Sequence, residues 1–98
     1  MKVLFSHSAL RDLTRLRDFI AEKDPAAAER VSKRLRVAIE QLREAPRIGR
    51  SLEGLPGEVR ELITGRYVVR YRISGERVYI ARVWHGREIK ARDQPPGE

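Results

Sequence analysis

Between positions 59 and 84 the chain runs through three strand-length segments, 59–63, 67–73 and 77–84, parted by turns at Thr64-Gly65 and Ser74-Gly75. Connections this short can join only antiparallel neighbours, because a parallel return needs a crossover of a dozen residues or more. The stretch is therefore expected to fold as a meander. Successive side chains of a strand point to opposite sides. In the middle segment Tyr67, Val69, Tyr71 and Ile73 share one face, and Arg66, Val68, Arg70 and Arg72 share the other. The first face needs cover, and the second carries a ladder of arginines. In the last segment the alternation slips, with Val78 and Ile80 on one side and Ala81 and Val83 on the other. That slip predicts a bulge or burial on both faces.

The cover comes from the N-terminal half. Lys2 to Phe5 reads as a short strand, and Ser6 or Ser8 then offers an N-cap. Apolar residues at Ala9, Leu10, Leu13, Leu16, Phe19 and Ile20 form one helical stripe, with Arg11, Asp12, Arg15, Arg17 and Asp18 left for water. This helix is expected to stop near Lys23. Asp24-Pro25 restarts a helix, since Asp accepts from first-turn amides and proline at the first helical position forfeits no hydrogen bond. The second stripe is Ala28, Val31, Leu35, Ala38, Ile39 and Leu42, and Pro46 ends it. So short a link permits only an antiparallel helical hairpin. Residues 45–58, with three glycines and two prolines, read as a loop. The expected class is α+β: a short first strand, then a helical hairpin packed on a mostly antiparallel sheet that ends in the meander. Residues 1–90 form a single expected domain, and 91–98, with Pro95-Pro96-Gly97, an expected flexible tail.

Composition narrows the chemistry. The 98 residues contain no cysteine, so disulfides and thiolate-bound zinc are excluded, in keeping with a reducing compartment. No apolar run approaches the ~20 residues that span a bilayer, so no membrane role and a cytoplasmic location are expected. The net charge is +7, from 21 basic and 14 acidic residues, and lysine occurs only at positions 2, 23, 33 and 90. Guanidinium groups make bidentate contacts to phosphates and carboxylates and stack on rings. Arginine excess thus points to nucleic acid or an acidic protein, and a GC-rich coding sequence produces the same bias. His7 and His85 are the only histidines and follow no metal-ligand spacing, and no phosphate-binding glycine loop is present. No metal or cofactor is expected. What remains for catalysis is His85 as a proton carrier with Arg66, Arg70, Arg82 and Arg87 as cations. A histidine that only caps a loop is the competing role.

Several blocks in a fixed order carry a resemblance. Ser6-His7-Ser8-Ala9 and Asp12-Leu13 open the first helix, Pro25-Ala26-Ala27-Ala28 the second, and Ala38-Ile39 and Leu42 lie near its end. Pro46-Arg47-Ile48-Gly49-Arg50 and Val59-Arg60-Glu61-Leu62 follow. Gly65-Arg66-Tyr67-Val68-Val69-Arg70-Tyr71-Arg72 and Val83-Trp84-His85-Gly86-Arg87 complete the set. Over residues 2–90 this resembles the RelE/ParE superfamily of bacterial toxins. The resemblance implies the toxin of a type II toxin–antitoxin system, in one of two chemistries. RelE-type members cut messenger RNA on the ribosome, whereas ParE-type members poison DNA gyrase. The Pro-x-x-Gly-Arg loop and the Val-Trp-His-Gly-Arg ending look more like the ParE branch. The loop lacks lysine and no tyrosine follows Tyr79.

The expectation is therefore a ParE-type gyrase inhibitor with no catalytic residue. Its target-binding face is Arg66, Arg70, Arg72, Arg82, Trp84, His85 and Arg87. The alternative is a ribosome-dependent mRNA endoribonuclease that uses His85, Arg66, Arg70 and Arg87. The resemblance also implies a cognate, ParD-like antitoxin with an acidic amphipathic segment, bound as a hetero-oligomer through Leu13, Leu16, Leu35 and Arg60.

Overall fold

In a computed structural model, residues 1–88 are described. The elements are β1 (Lys2–Phe5), α1 (His7–Ala21), α2 (Pro25–Gln41), β2 (Arg50–Leu52), β3 (Glu58–Thr64), β4 (Tyr67–Ser74) and β5 (Arg77–His85). They form one five-stranded sheet in the order β1-β5-β4-β3-β2, with the helical hairpin against one face. The meander is present, and β1 adds the single parallel pairing, from Lys2 opposite Arg77 to Phe5 opposite Ile80. β2 arises inside the stretch read as a loop. Its three residues have little alternation to betray them and gain order by pairing with 59–61 of β3. The tail expected from residue 91 lies outside the described residues.

Both helix starts behave as their sequence demands. Ser6 caps α1, its hydroxyl accepting from the Ala9 amide at 2.9 Å. The same hydroxyl donates to the Ala81 carbonyl at 2.8 Å. Ala81 is the extra residue of a bulge, because Arg70 faces Arg82 while Tyr71 faces Ile80. The cap of α1 thus holds the bulge that lets Val78, Ile80 and Val83 all reach the core. Asp24 caps α2 by accepting from the Ala27 amide at 3.1 Å, with Pro25 in the first turn.

The core lies between hairpin and sheet. Leu16, Leu35, Ile39 and Leu42 meet Tyr67, Val69, Tyr71, Ile73, Val78, Ile80 and Val83. The α1 stripe differs from expectation at three points. Leu10 and Phe19 stand on its flanks and are exposed, while Asp12, expected in water, is only 4% exposed. At about 100° per residue, position 12 falls beside 9, 13 and 16, so the helix turns this carboxylate toward the sheet.

Tyr71 closes the sheet against the 45–58 segment. Its hydroxyl donates to the Pro46 carbonyl at 2.6 Å and accepts from the Gly49 amide at 3.0 Å. Burial pushes the Tyr71 phenol's pKa up. Gly49 sits so close that an added Cβ would stand 2.6 Å from that hydroxyl and 2.7 Å from the Glu61 carbonyl oxygen. A side chain has no room here.

Candidate functional site

The sheet divides the arginine-rich surface in two. Adjacent strand residues face opposite ways, so Trp84 and His85 cannot share a face. Trp84 lies opposite Val68 on the side away from the helices, while His85 lies opposite Tyr67 on the helical side. The single target-binding face expected from the sequence is corrected accordingly. Arg70, Arg72, Arg82 and Trp84 belong to the outer face, and Arg66, His85 and Arg87 gather at one end of the molecule, around a cleft.

The outer face is largely neutralised from within. Glu61 is 3% exposed, and its carboxylate accepts from Arg70 at 2.7 and 2.9 Å and from Arg50 at 3.2 Å. Arg82 donates to both oxygens of Asp12 at 2.8 and 3.1 Å, and Arg15 adds a contact at 3.3 Å. Asp12 also accepts the Val83 amide at 2.9 Å, beyond the end of β1 where the edge of β5 would otherwise be unpaired. Burial drives the Asp12 pKa upward, but Arg82 and the Val83 amide outweigh it and hold the pKa below its usual value. Trp84 is 3% exposed, with the guanidinium carbons of Arg70 and Arg82 at 4.7 and 5.3 Å from its ring centre. Arg72 lies over Tyr79 at 5.7 Å. The ladder is thus mostly a lattice of ion pairs and cation–π contacts. Trp84 is packing beneath it, not a surface to be offered.

The cleft lies where the ends of β4 and β5 meet the C-terminal half of α1. It has a volume of about 560 Å³ and is lined by Arg15, Leu16, Phe19, Ile20, Arg66, Tyr67, His85, Arg87 and Glu88. Gly65, at φ +58°, supplies the left-handed turn that brings Arg66 to the rim. The Gly86 amide donates to the Arg66 carbonyl at 2.6 Å and closes this end of the hairpin. Glu88 ties the end of β5 to α1, accepting from the His85 amide at 2.9 Å and from Arg15 at 2.6 Å. The Arg87 amide donates to His85 Nδ1 at 3.1 Å, which puts the proton of a neutral ring on Nε2. The imidazole also meets Tyr67 edge-on, with centres 5.3 Å apart. Burial raises the Tyr67 pKa, which keeps that phenol protonated. The result is an apolar floor under a cationic rim, with one imidazole fastened at its side.

Other expected residues fall elsewhere. Arg70, part of the nuclease set, lies across the sheet from His85. Leu16 and Leu35 are core residues and Leu13 packs against the core, so they offer little free surface. The Arg60 guanidinium serves the fold, bonding Glu58 at 3.0 Å and the Arg47 and Gly49 carbonyls at 3.3 and 2.8 Å. Sequence reasoning put Asp12 in water and left Glu61 between a role in the fold and one in antitoxin binding, whereas both acids are buried. Asp12 is a charge on an apolar stripe, and Glu61 is an acid within an arginine-flanked strand; both were signals of buried pairs. Among the described residues, no group of three or more His, Asp or Glu side chains is placed to hold a metal ion, and no helix is long and apolar enough to cross a membrane.

Solved structures share this architecture. The chromosomal ParDE TA system of P. aeruginosa aligns with a TM-score of 0.66 at 20% identity, covering 87% of this chain and 95% of that one. The toxin–antitoxin complex RelBE2 of Mycobacterium tuberculosis aligns with a TM-score of 0.61 at 31% identity, covering 86% and 95%. The fold is therefore that of the RelE/ParE toxins. Toxin RelE1 of Caulobacter vibrioides is 42% identical over 88 residues, spanning 88% of this chain and 94% of the relative. Toxin RelE2 of the same organism is 36% identical, spanning 90% and 98%. The model of the ParE toxin of type II toxin–antitoxin systems, parDE, matches residues 3–90. This chain belongs to the ParE toxin family.

Proposed function

We propose that this toxin is a ParE-type inhibitor of DNA gyrase that binds its target without making or breaking a covalent bond, and that a cognate antitoxin neutralises it. The observation that supports binding over cleavage is the internal pairing of the sheet arginines. Arg70 and Arg82 are held by Glu61 and Asp12, so two of the four arginines that could serve a phosphorane are already committed. His85 is fastened through Nδ1 and by Tyr67. The cleft, apolar below and cationic above, fits a protein segment that presents an apolar side chain flanked by acids. Arg66, Arg87 and Phe19, which is 63% exposed, are its accessible contacts.

The same arrangement suits an acidic amphipathic antitoxin segment that folds on contact. The solved neighbours come from a ParDE system and RelB–RelE complexes, which accords with a hetero-oligomer here. Co-expression with the product of the adjacent gene tests this: a stable complex is expected, and separate elution would reject the partner.

The endoribonuclease reading keeps one supporting observation. Arg66, His85 and Arg87 do line one cleft, where His85 Nε2 could carry a proton beside two cations. Two assays on the purified toxin decide between the readings, one of gyrase supercoiling and one of messenger RNA on programmed ribosomes. Lost supercoiling with intact message is expected. Site-specific cleavage of the message would replace the gyrase reading with the nuclease.

A further inference from the structure

Cations that the sheet leaves unpaired collect on the outer side of α2. Arg30, Lys33, Arg34, Val37 and Gln41 recur at helical spacing, so they form one stripe opposite the buried Leu35 and Ile39. With Ala38 and Thr64 they line a shallow cleft of about 360 Å³ between α2 and the end of β3. Among the described residues, Arg30, Lys33 and Arg34 have no ion pair with a carboxylate. Glu29 stands one helical turn before Lys33 without bridging it, and Glu40 is taken by Arg43 at 2.7 Å. The stripe reaches the β3–β4 turn, where an added Cβ on Gly65 would stand 2.7 Å from an Arg34 guanidinium nitrogen. Beside that turn lies exposed Arg66.

We propose that this stripe, Arg30, Lys33 and Arg34 with the Thr64 hydroxyl, binds the phosphate backbone of nucleic acid. It is a surface separate from the cleft that holds His85, and it does not depend on which target the toxin inhibits. Its composition selects the ligand. An amphipathic acidic protein segment needs apolar anchors, and here Val37 is the one large exposed apolar side chain. Phosphates need only cations and hydroxyl donors. Contacts of this kind are independent of sequence and fall steeply with salt.

The test is fluorescence anisotropy of a labelled random-sequence DNA duplex titrated with the purified toxin at several salt concentrations. Each lost phosphate contact lowers the slope of log affinity against log salt by about 0.9. The triple variant Arg30→Gln, Lys33→Gln, Arg34→Gln is therefore expected to shed about 2.7 of that slope and to bind at least about tenfold more weakly. A second triple variant, Arg11→Gln, Arg17→Gln, Arg77→Gln, removes the same charge from exposed positions elsewhere and is expected to stay within about twofold of the parent. Equal losses in both variants would reduce the effect to net charge and overturn the assignment, as would no binding by the parent at low salt. Polyglutamate of matched charge serves as the competing probe. If it bound as tightly as DNA and lost the same affinity in the first variant, the stripe would be a site for acidic protein. Circular dichroism melts check that both variants fold, as expected because every substituted residue is exposed.

Discussion

Asp12→Asn is the substitution that most directly probes how the arginines are held. The side chain keeps its shape and loses its charge. In the parent, one oxygen accepts from Arg82 Nε at 2.8 Å and the Val83 amide at 2.9 Å; the other accepts from Arg82 Nη2 at 3.1 Å and Arg15 at 3.3 Å. An asparagine can place its oxygen at the first position and keep those two contacts. Its amide nitrogen then faces two guanidinium donors. Breaking a buried pair from one side costs about 3–5 kcal/mol when the partner charge stays dry. The Arg82 and Arg15 side chains are 30% and 41% exposed, so water recovers part of this. The expected loss is about 2 kcal/mol, a substantial share of the ~5–15 kcal/mol that holds a domain together. For a chain of this length it corresponds to a melting temperature lower by roughly 8–16 °C.

Urea unfolding of both proteins across pH provides the assay. The folded-state pKa of Asp12 lies below the ordinary aspartate value of 3.8. The unfolded chain therefore takes up the proton first as pH falls, and stability from this group rises with pH. The gap between parent and variant should be complete at neutral pH and down to about one unit above 3.8. It should shrink as pH drops through the folded pKa. A variant within about 0.5 kcal/mol of the parent at pH 7 would refute the buried-pair account. So would a gap that persists unchanged at pH 2.

Tyr71→Phe leaves the Gly49 amide and the Pro46 carbonyl without their buried partner. It should cost about 1–3 kcal/mol and speed amide exchange at Gly49, read by hydrogen-exchange mass spectrometry. Gly49→Ala forces a methyl against the Tyr71 hydroxyl and the Glu61 carbonyl and should destabilise by about 1–3 kcal/mol in chemical denaturation. Unchanged stability would mean that the segment shifts freely. Glu61→Gln removes the anion that Arg70 and Arg50 share and should cost about 1–2 kcal/mol, discounted for the exposure of Arg50, in thermal melts at low salt. His85→Ala should preserve growth inhibition if the toxin only binds, whereas Arg66→Ala with Arg87→Ala should weaken it at least about tenfold in a dose-response assay. Loss of inhibition in His85→Ala as well would favour histidine-dependent cleavage.

Much of the framework was written locally. Ser6, Asp24 and Pro25 announced the helices, two glycine turns announced the meander, and the slipped alternation around Ala81 announced its bulge. Local signals failed where partners are remote. Helical phase placed Asp12 near the buried side, yet its reading as a water-facing residue came from charge alone. β2 escaped notice because three residues beside Gly49 hold no pattern until β3 pairs with them. Leu16 and Leu35 were expected to contact an antitoxin because a stripe does not say what covers it.

The sequence by itself determined the order of elements other than β2, the faces of β4 and the excess of arginine, because periodicity, capping and turn chemistry act over a few residues. Only the tertiary structure decided which arginines remain available. Arg82 meets a carboxylate 70 positions away, and Arg70 meets one on a neighbouring strand. Adjacent Trp84 and His85 were sent to opposite faces by the pleat. Charge is a property of the chain, but its neutralisation requires two groups to be brought within a few ångströms. Topology alone can do that, which is why the sheet's arginines became structure while those of α2 stayed exposed.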